Sequence, residues 1–215
     1  NNPYATAALK YGDLIMIIKM QGATINTTNT VSYGTVTANN NTGVYEVNTI
    51  IGTTGNVITV CNNLANTYTV SATERVQVVR IPRLSSLTIN GGFSLTCTPW
   101  SGSFKGGIVA VEVTGNLVIN GSINVAGLGY RGGTIDNNTT GPPGTSNYVS
   151  NSSNDGAEKG ESIAGYQTDY DAVGRYDRGA PANGGGGGVS HNAGGGGGAN
   201  GNNGNTWTGQ GVMIV

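Results

Sequence analysis

The chain has 215 residues and a formal net charge of −1, and only 10% of its residues are charged, against about 25% in an ordinary soluble domain. A nucleic-acid-binding surface needs a basic patch or stripe, and nothing in this charge balance suggests one. Glycine accounts for 38 residues, more than twice its usual share of about 7%, and no run of about 18 apolar residues predicts a membrane span.

Residues 1–83 predict a small β module. Short apolar or alternating runs are separated by polar turns, which is typical of a small β-barrel or sandwich. The runs are 13–20, 43–51, 56–60 and 76–81. We expect the polar stretch 26–41 to be an exposed loop and the scattered charges of this module to be solvated.

Two cysteines, Cys61 and Cys97, are the only ones in the chain, and their spacing matches no zinc motif. Both follow strand-like runs in a sequence with the low charge of many extracellular β proteins. Because secreted proteins form disulfides, we predict a bridge between Cys61 and Cys97 if the chain is exported. The alternative is two small, buried apolar side chains.

Residues 84–130 repeat one short phrase. Leu-Thr-Ile-Asn-Gly at 87–91 returns as Leu-Val-Ile-Asn-Gly at 117–121. Short strands that end in Asn-Gly form either hairpins or the corners of a solenoid. We favour a short parallel β-helix-like solenoid, whose stacked rungs bury their aliphatic face, over hairpins. Trp100 follows the first phrase, and we expect it to cap the solenoid rather than to contact a ligand.

Residues 131–215 combine a long polar excursion with a glycine-rich segment. Two runs of five glycines, 184–188 and 194–198, flank the only histidine of the chain. Glycine lets backbones approach as closely as in collagen, whose extended chains pack around an axis that only glycine fits. We therefore predict a layer of polyproline-II-like strands packed on the solenoid, and the alternative is a disordered linker. The residues to which we assign structural roles are Gly186, Gly196 and His191.

Tyrosines alternate with charges in residues 155–178, where nine of the charged residues of the chain are concentrated. Aromatic rings with polar neighbours suit the stacking of sugar rings, so this segment is a candidate binding platform. The alternative is packing inside the protein or at an interface. The candidate ligand-binding residues are Tyr166, Tyr170, Tyr176 and Trp207.

Three aspartates in the same segment are calcium candidates, since calcium prefers hard oxygen ligands. Asp169, Asp171 and Asp177 lack the spacing of an EF-hand loop and of the calcium-binding β-roll repeats. We favour the alternative, in which they pair with Arg175 and Arg178. Calcium binding remains a hypothesis, and we predict no other cofactor.

Glycoside hydrolysis requires two carboxylates at a defined separation. Four acidic residues of the segment could supply such a pair, but nothing in the sequence selects two of them. His191 has no second histidine and no cysteine partner, so neither a metal site nor acid–base chemistry is predicted there. We therefore predict no catalytic residue and no enzyme activity. The four acidic residues are Glu158, Glu161, Asp169 and Asp171.

Several stretches resemble a family of very large surface adhesins of gliding and related Bacteroidota that the type IX secretion system exports. The matching stretches are 12–23, 77–82, 106–111, 127–133, 159–165 and 179–188. The resemblance implies a fragment of a longer adhesin at the outer cell surface, which mediates attachment or gliding on a polysaccharide or other substratum. It implies the type IX secretion machinery as a partner and carries over no catalytic motif. The alternative function is that of a carbohydrate-binding or carbohydrate-cleaving β-helix protein, like a tailspike.

Overall fold

The computed structural model of the protein describes residues 8–137, 147–189 and 192–197. Their regular elements are short strands and two 3-10 helices, Ser153–Asp155 and Gln167–Tyr170, without an α-helix. The all-β prediction is therefore confirmed. The strands are β1 (Leu14–Gln21), β2 (Thr24–Ile25), β3 (Val36–Ala38), β4 (Tyr45–Thr54), β5 (Val57–Val60), β6 (Arg75–Ile81), β7 (Arg83–Leu84), β8 (Leu87–Ile89), β9 (Ser94–Leu95), β10 (Glu112–Val113), β11 (Leu117–Ile119) and β12 (Ser122–Ile123).

The described chain divides into two compact units. Unit 1 contains residues 8–20 and 41–129, and unit 2 contains residues 21–40 together with the described part of 130–197. We had predicted three modules, 1–83, 84–130 and 131–215. In the structure the described residues of the first two modules lie in unit 1, except residues 21–40 and 130. These belong to unit 2 together with the third module.

An open four-stranded sheet forms the first half of unit 1. Its strand order is β5-β4-β1-β6, and β4 pairs in the antiparallel direction with both β1 and β5. Within the described residues β5 and β6 remain edges, so the predicted closed barrel is wrong. Four short strands are too few to close, because a barrel needs enough strands to leave room for its interior side chains.

Buried side chains alternate with partly buried ones from Ile15 to Gln21 of β1, and the buried ones form the core of this sheet. Ile15 and Ile17 point to the same face and pack with Ile50 of β4, and partly buried side chains such as Tyr68 and Val76 cover them. The next residue on that face is Lys19, whose buried ammonium group lies 2.5 Å from a carboxylate oxygen of Glu74. A side-chain hydrogen bond from Lys19 is the main cause that lowers the pKa of Glu74.

The repeated phrase of the second half of unit 1 pairs with itself. β8 and β11 lie parallel, with Leu87 opposite Leu117 and Ile89 opposite Ile119. Two further parallel pairs, β7 with β10 and β9 with β12, join the same two passes of the chain, which are residues 83–95 and 112–123. Contacts across the pairs join residues 28, 29 or 30 positions apart. Hairpins are therefore wrong for this region, but two stacked passes do not establish a β-helix.

Trp100 is buried in unit 1, with 3% of its surface exposed. Its backbone N–H donates to the Leu128 carbonyl oxygen at 2.8 Å, and its ring lies 6.2 Å from that of Phe104. A ring that is covered to this extent packs against protein. Contact between Trp100 and a ligand, the less favoured alternative, is not supported.

Both cysteines are free thiols, Cys61 exposed and Cys97 half-buried, and the predicted bridge is not formed. A disulfide requires the two Cβ atoms to lie about 3.5–4.5 Å apart. We therefore expect two reactive thiols per chain, with Cys61 alkylated faster because it is more accessible. Intact-mass measurement during timed iodoacetamide treatment tests this expectation. A mass that shows no alkylation without reductant would contradict it.

Unit 2 contains little regular structure. Its only antiparallel strand pair among the described residues is β2 with β3. Residues 26–41 were predicted to be an exposed loop, and this is wrong in part, because they contain β3 and the buried Tyr33. The described part of the chain has no helix with the length and apolar character that crossing a membrane would require.

Candidate functional site

Extended segments in unit 2 are joined by backbone hydrogen bonds without forming regular strands. The Gly160 N–H donates to the Gly185 carbonyl oxygen at 2.8 Å, and the Gly133 N–H donates to the Gly196 carbonyl oxygen at 3.0 Å. The Gly187 N–H reaches the Asp177 carbonyl oxygen at 2.9 Å. The two glycine runs are therefore bonded, as far as they are described, to the polar segments 131–136 and 157–178.

The glycines of this layer are packed against backbone atoms. A Cβ atom on Gly186 would lie 2.8 Å from the Arg178 carbonyl carbon and would overlap its oxygen. A Cβ atom on Gly196 would lie 2.8 Å from the Gly185 carbonyl carbon and would overlap the Gly186 oxygen. Real Cβ atoms essentially never approach other heavy atoms within 3.0 Å. Close approach of backbones, rather than an unusual φ angle, requires glycine at these two positions.

A buried carboxylate lies beside this layer. Glu161 is fully buried, and its Oε2 accepts a hydrogen bond from Arg131 Nε at 2.7 Å while its Oε1 accepts one from Arg131 Nη2 at 3.1 Å. Gln21 Nε2 donates to the same Oε1 at 3.0 Å. This fork of two parallel bonds is the strong geometry of an arginine–carboxylate pair. It neutralises a charge that would otherwise be costly to bury.

The neighbouring Glu158 is held in the same manner. Its Oε1 lies 2.5 Å from Arg175 Nη2, and its Oε2 accepts a hydrogen bond from Gln167 at 2.8 Å. Burial by itself would raise the pKa of the Glu158 carboxyl, but hydrogen bonds from Thr134, Gln167 and Arg175 outweigh it and hold that pKa below its usual value. A glycosidase acid has a raised pKa, which is the opposite of the shift at Glu158.

Lys159 lies between these two glutamates in the sequence and is fully buried. Its ammonium group donates to the Tyr176 carbonyl oxygen and lies 4.8 Å from the centre of the Tyr33 ring. Burial lowers the pKa of Lys159 to about 7, and the charge of Asp177 opposes this shift only in part. The Lys159 ammonium group therefore loses its proton far more readily than that of an exposed lysine.

We expect Lys159 to make the protein more stable as the pH rises from about 7 to 9.5. The pKa of an exposed lysine is about 10.4, so in this window the unfolded chain binds a proton that the folded chain does not, and stability rises with pH. Below pH 7 both states are protonated and the full cost of burial remains. Urea unfolding at a series of pH values measures the slope, which is at most about 1.4 kcal/mol per pH unit.

Lys159→Met should abolish this rise, whereas Lys10→Met, at an exposed lysine, should retain it. The window ends at pH 9.5 because buried tyrosines with raised pKa values, such as Tyr33 and Tyr170, reverse the trend once unfolded tyrosines ionise. An equal slope in wild type and Lys159→Met would show that Lys159 is charged in the folded protein.

The three described tyrosines of the predicted aromatic platform each contact other parts of the protein. Tyr170 is 1% exposed, and its hydroxyl group contacts Ser162 Oγ at 2.8 Å and the Gly165 carbonyl oxygen at 2.5 Å. A ring that is enclosed in this way cannot stack on a sugar, so the prediction for Tyr170 is wrong. The Tyr166 ring is partly buried and covered by the Arg131 guanidinium at 4.0 Å.

Tyr176 is partly buried as well, and the Arg175 guanidinium lies 5.6 Å from its ring centre. Its backbone N–H donates to the Ser150 carbonyl oxygen at 3.0 Å. The ring and the backbone of Tyr176 therefore both contact the protein. Trp207 and His191 lie outside the described residues, and their predicted roles remain predictions.

The three calcium candidates have other contacts. Asp169 Oδ2 accepts the Tyr166 N–H at 2.8 Å at the start of a 3-10 helix, and Asp171 Oδ1 lies 3.2 Å from Arg175 Nη1. Asp177 is fully buried and accepts the Arg178 N–H at 3.0 Å. Among the described residues no group of three or more His, Cys, Asp or Glu side chains could hold a metal ion. Calcium binding stays a hypothesis that the structure does not test.

Two residues that contact the buried Glu161 and Lys159 side chains were not predicted from the sequence. Gln21 contributes to the Glu161 site from the end of β1, and the Tyr33 ring lies beside Lys159. Both are buried in unit 2, although about 140 positions separate Gln21 from Glu161 in the chain. No local pattern marks them. The only signal was the polar residue that ends β1, a strand whose other residues are apolar except Lys19.

Comparison with protein-family models, with curated proteins and with solved structures gives no match for this chain. Its function must therefore be inferred from the residues and their geometry.

Proposed function

We propose that the chain is a non-catalytic module of a secreted cell-surface adhesin. In this proposal it is part of a longer protein that the type IX secretion machinery exports, and it supports attachment or gliding on an extracellular polysaccharide or another substratum. The resemblance of its sequence phrases to Bacteroidota adhesins supports the export route and the location at the outer surface. The internal use of its charged groups supports a structural role.

The observation that carries the proposal is the engagement of the acidic residues that a hydrolase would need. Glu161 and Glu158 are each held by an arginine, and Asp171 contacts the arginine that holds Glu158. A carboxylate that acts as an acid or a nucleophile must reach its substrate. Glu158 and Glu161 instead bind other parts of unit 2 with little exposed surface, as the charges of a rigid scaffold do.

The second candidate function is that of a carbohydrate-binding or carbohydrate-cleaving β-helix protein. The three parallel strand pairs of unit 1 favour it, because they have the rung-on-rung pairing with which a β-helix is built. In this proposal the two passes are the first rungs of a short solenoid. The repeated Asn-Gly phrase supplies the corners of the rungs.

A glycan array with neutral and acidic polysaccharides, followed by an assay for released reducing ends, separates the two functions. The adhesin proposal expects binding to at least one surface polysaccharide and no release of sugar. Release that is lost in Glu161→Gln or Asp171→Asn, with binding retained, would establish the hydrolase instead. A chain that binds no glycan and no substratum would contradict both functions.

A further inference from the structure

The repeated phrase of unit 1 contains two Asn-Gly pairs with almost the same sequence around them. Ile-Asn-Gly-Gly stands at 89–92 and Ile-Asn-Gly-Ser at 119–122. Both asparagines are exposed, and each directly follows one strand of the parallel pair β8 and β11. In an unfolded chain the two pairs should have nearly equal chemical reactivity. Any difference between them in the folded protein is therefore a property of the fold.

An asparagine that precedes a glycine can react within the chain. The glycine backbone nitrogen attacks the side-chain amide carbon, a new C–N bond closes a succinimide ring, and ammonia leaves with the proton of the former N–H. Water then opens the ring at either carbonyl and gives aspartate or isoaspartate. The sum is one water consumed and one ammonia released. Glycine favours the attack because no Cβ atom hinders its nitrogen, but that nitrogen must be free to move.

The pair at 120–121 is held by the end of the opposite strand. The N–H groups of Asn120 and Gly121 donate to the Ile89 carbonyl oxygen at 2.8 and 2.9 Å. A Cβ atom on Gly121 would lie 2.5 Å from the Asn90 carbonyl oxygen and would overlap another backbone oxygen of the same turn. The Gly121 nitrogen is therefore enclosed by backbone atoms, and its attack would require this packing to open.

The pair at 90–91 lies in an open turn. The Asn90 carbonyl oxygen accepts the Phe93 N–H at 3.1 Å, and Gly92 has a φ of 82°, the geometry that type II turns require of their third residue. Residues 90–94 are all exposed. Within the described residues no hydrogen bond engages the Asn90 side chain or the Gly91 N–H. The two groups that must react are therefore accessible to each other and to water.

A third Asn-Gly pair lies in unit 2 and is also held. Asn183 Oδ1 accepts the Ile163 N–H at 2.9 Å, and the Gly184 N–H donates to the Pro181 carbonyl oxygen at 2.7 Å. Gly184 is buried as well. Among the Asn-Gly pairs that the structure describes, the one at 90–91 is thus the pair whose glycine nitrogen is not engaged.

We propose that Asn90 is a site of spontaneous modification, at which the folded protein converts to aspartate and isoaspartate while Asn120 and Asn183 keep their amides. Each product adds one negative charge to an exposed corner, and isoaspartate also adds one carbon atom to the main chain of the turn. The Phe93 carbonyl oxygen of that turn accepts the Ser122 N–H at 3.1 Å. The extra carbon therefore lies in the turn that positions an acceptor between the two passes. The inference goes beyond the proposed function, because it concerns the chemistry of the folded chain and not its ligand.

Timed incubation of the folded chain in mildly alkaline buffer, followed by tryptic peptide mapping, tests the site. Cleavage after lysine and arginine places Asn90 and Asn120 on separate peptides, 84–105 and 106–131. Conversion is read from the mass gained when an amide becomes an acid, and electron-transfer fragmentation separates isoaspartate from aspartate. We expect Asn90 to convert at least about tenfold faster than Asn120, which corresponds to about 1.4 kcal/mol on the barrier. The hydrogen bond and the packing of Gly121 supply that difference.

The unfolded chain and one variant are the matched controls. In guanidinium chloride both sites should convert at similar rates, since their sequence neighbours differ only at Gly92 and Ser122. Gly91→Ala should slow conversion at Asn90 by about tenfold, because the new methyl group hinders the attacking nitrogen. The nearest atom to that methyl group would be the Asn120 carbonyl oxygen at 3.8 Å, and the φ of Gly91 lies outside the left-handed region, so this variant should keep the fold.

Three results would overturn the inference. The first is equal conversion at Asn90 and Asn120 in the folded chain. The second is an Asn90 that stays intact in the folded chain over a time in which it converts in guanidinium chloride. The third is an unchanged rate at Asn90 in Gly91→Ala, which would show direct hydrolysis by water instead of attack by the backbone nitrogen.

Discussion

Gly186→Ala and Gly196→Ala should each destabilise the protein by at least about 2 kcal/mol. Each new methyl group would overlap a backbone carbonyl of a neighbouring segment, and backbone atoms cannot move aside as the end of a flexible side chain can. Overpacking of this kind typically costs about 1–3 kcal/mol. For a chain of this length the melting temperature should fall by about 5–10 °C.

Gly194→Ala is the matched control, because Gly194 lies in the same glycine run as Gly196. A Cβ atom on Gly194 would meet nothing within 4 Å, and its φ angle lies outside the left-handed region. We therefore expect this variant to be neutral or slightly stabilising, since alanine reduces the entropy of the unfolded chain. Thermal unfolding of the three variants measures the contrast. Equal melting temperatures in all three variants would show that the segment is a flexible linker.

Arg131→Met should destabilise the protein by about 3 kcal/mol, the largest effect that we expect from a single charged residue. The substitution keeps most of the side-chain volume but removes both guanidinium hydrogen bonds from the buried Glu161 carboxylate, which keeps Gln21 Nε2 and the Arg131 backbone N–H as donors. Removal of one partner of a buried ion pair typically costs about 3–5 kcal/mol, because the remaining charge is left uncompensated. Urea unfolding gives the free energy directly.

Arg83→Met tests the same chemistry at the surface. Arg83 Nε lies 2.5 Å from Glu112 Oε2, but both side chains are well exposed, at 49% and 39%. Exposed pairs contribute about 0–1 kcal/mol, so this variant should be close to neutral. Addition of Glu161→Gln to Arg131→Met should recover part of the lost stability, since it removes the buried charge. A similar loss from Arg83→Met and Arg131→Met would show that burial does not decide the cost.

The glycine and arginine variants both test how the interior of unit 2 is packed. Its interior contains few large apolar side chains among the described residues, and backbone packing of glycines and enclosed ion pairs take their place.

Strand content and close backbone packing at Gly186 and Gly196 were predictable from the sequence, and the repeated phrase favoured parallel rungs over hairpins. These features follow from local periodicity and from the absence of a side chain, so they can be recognised within a few residues. The clustering of charges in 155–178 was equally visible, and so was the alternative that Asp171 pairs with Arg175, which the structure contains.

The contacts between distant groups could not be predicted from the sequence. The pairing of Gln21 with Glu161 joins residues 140 positions apart, and the enclosure of Tyr170 turns a candidate ligand contact into a buried ring. The same holds for the Arg75 guanidinium, which lies 4.0 Å from the centre of the Phe104 ring. Burial and long-range contact depend on how distant segments pack, and a local pattern of residue types contains no information on that packing.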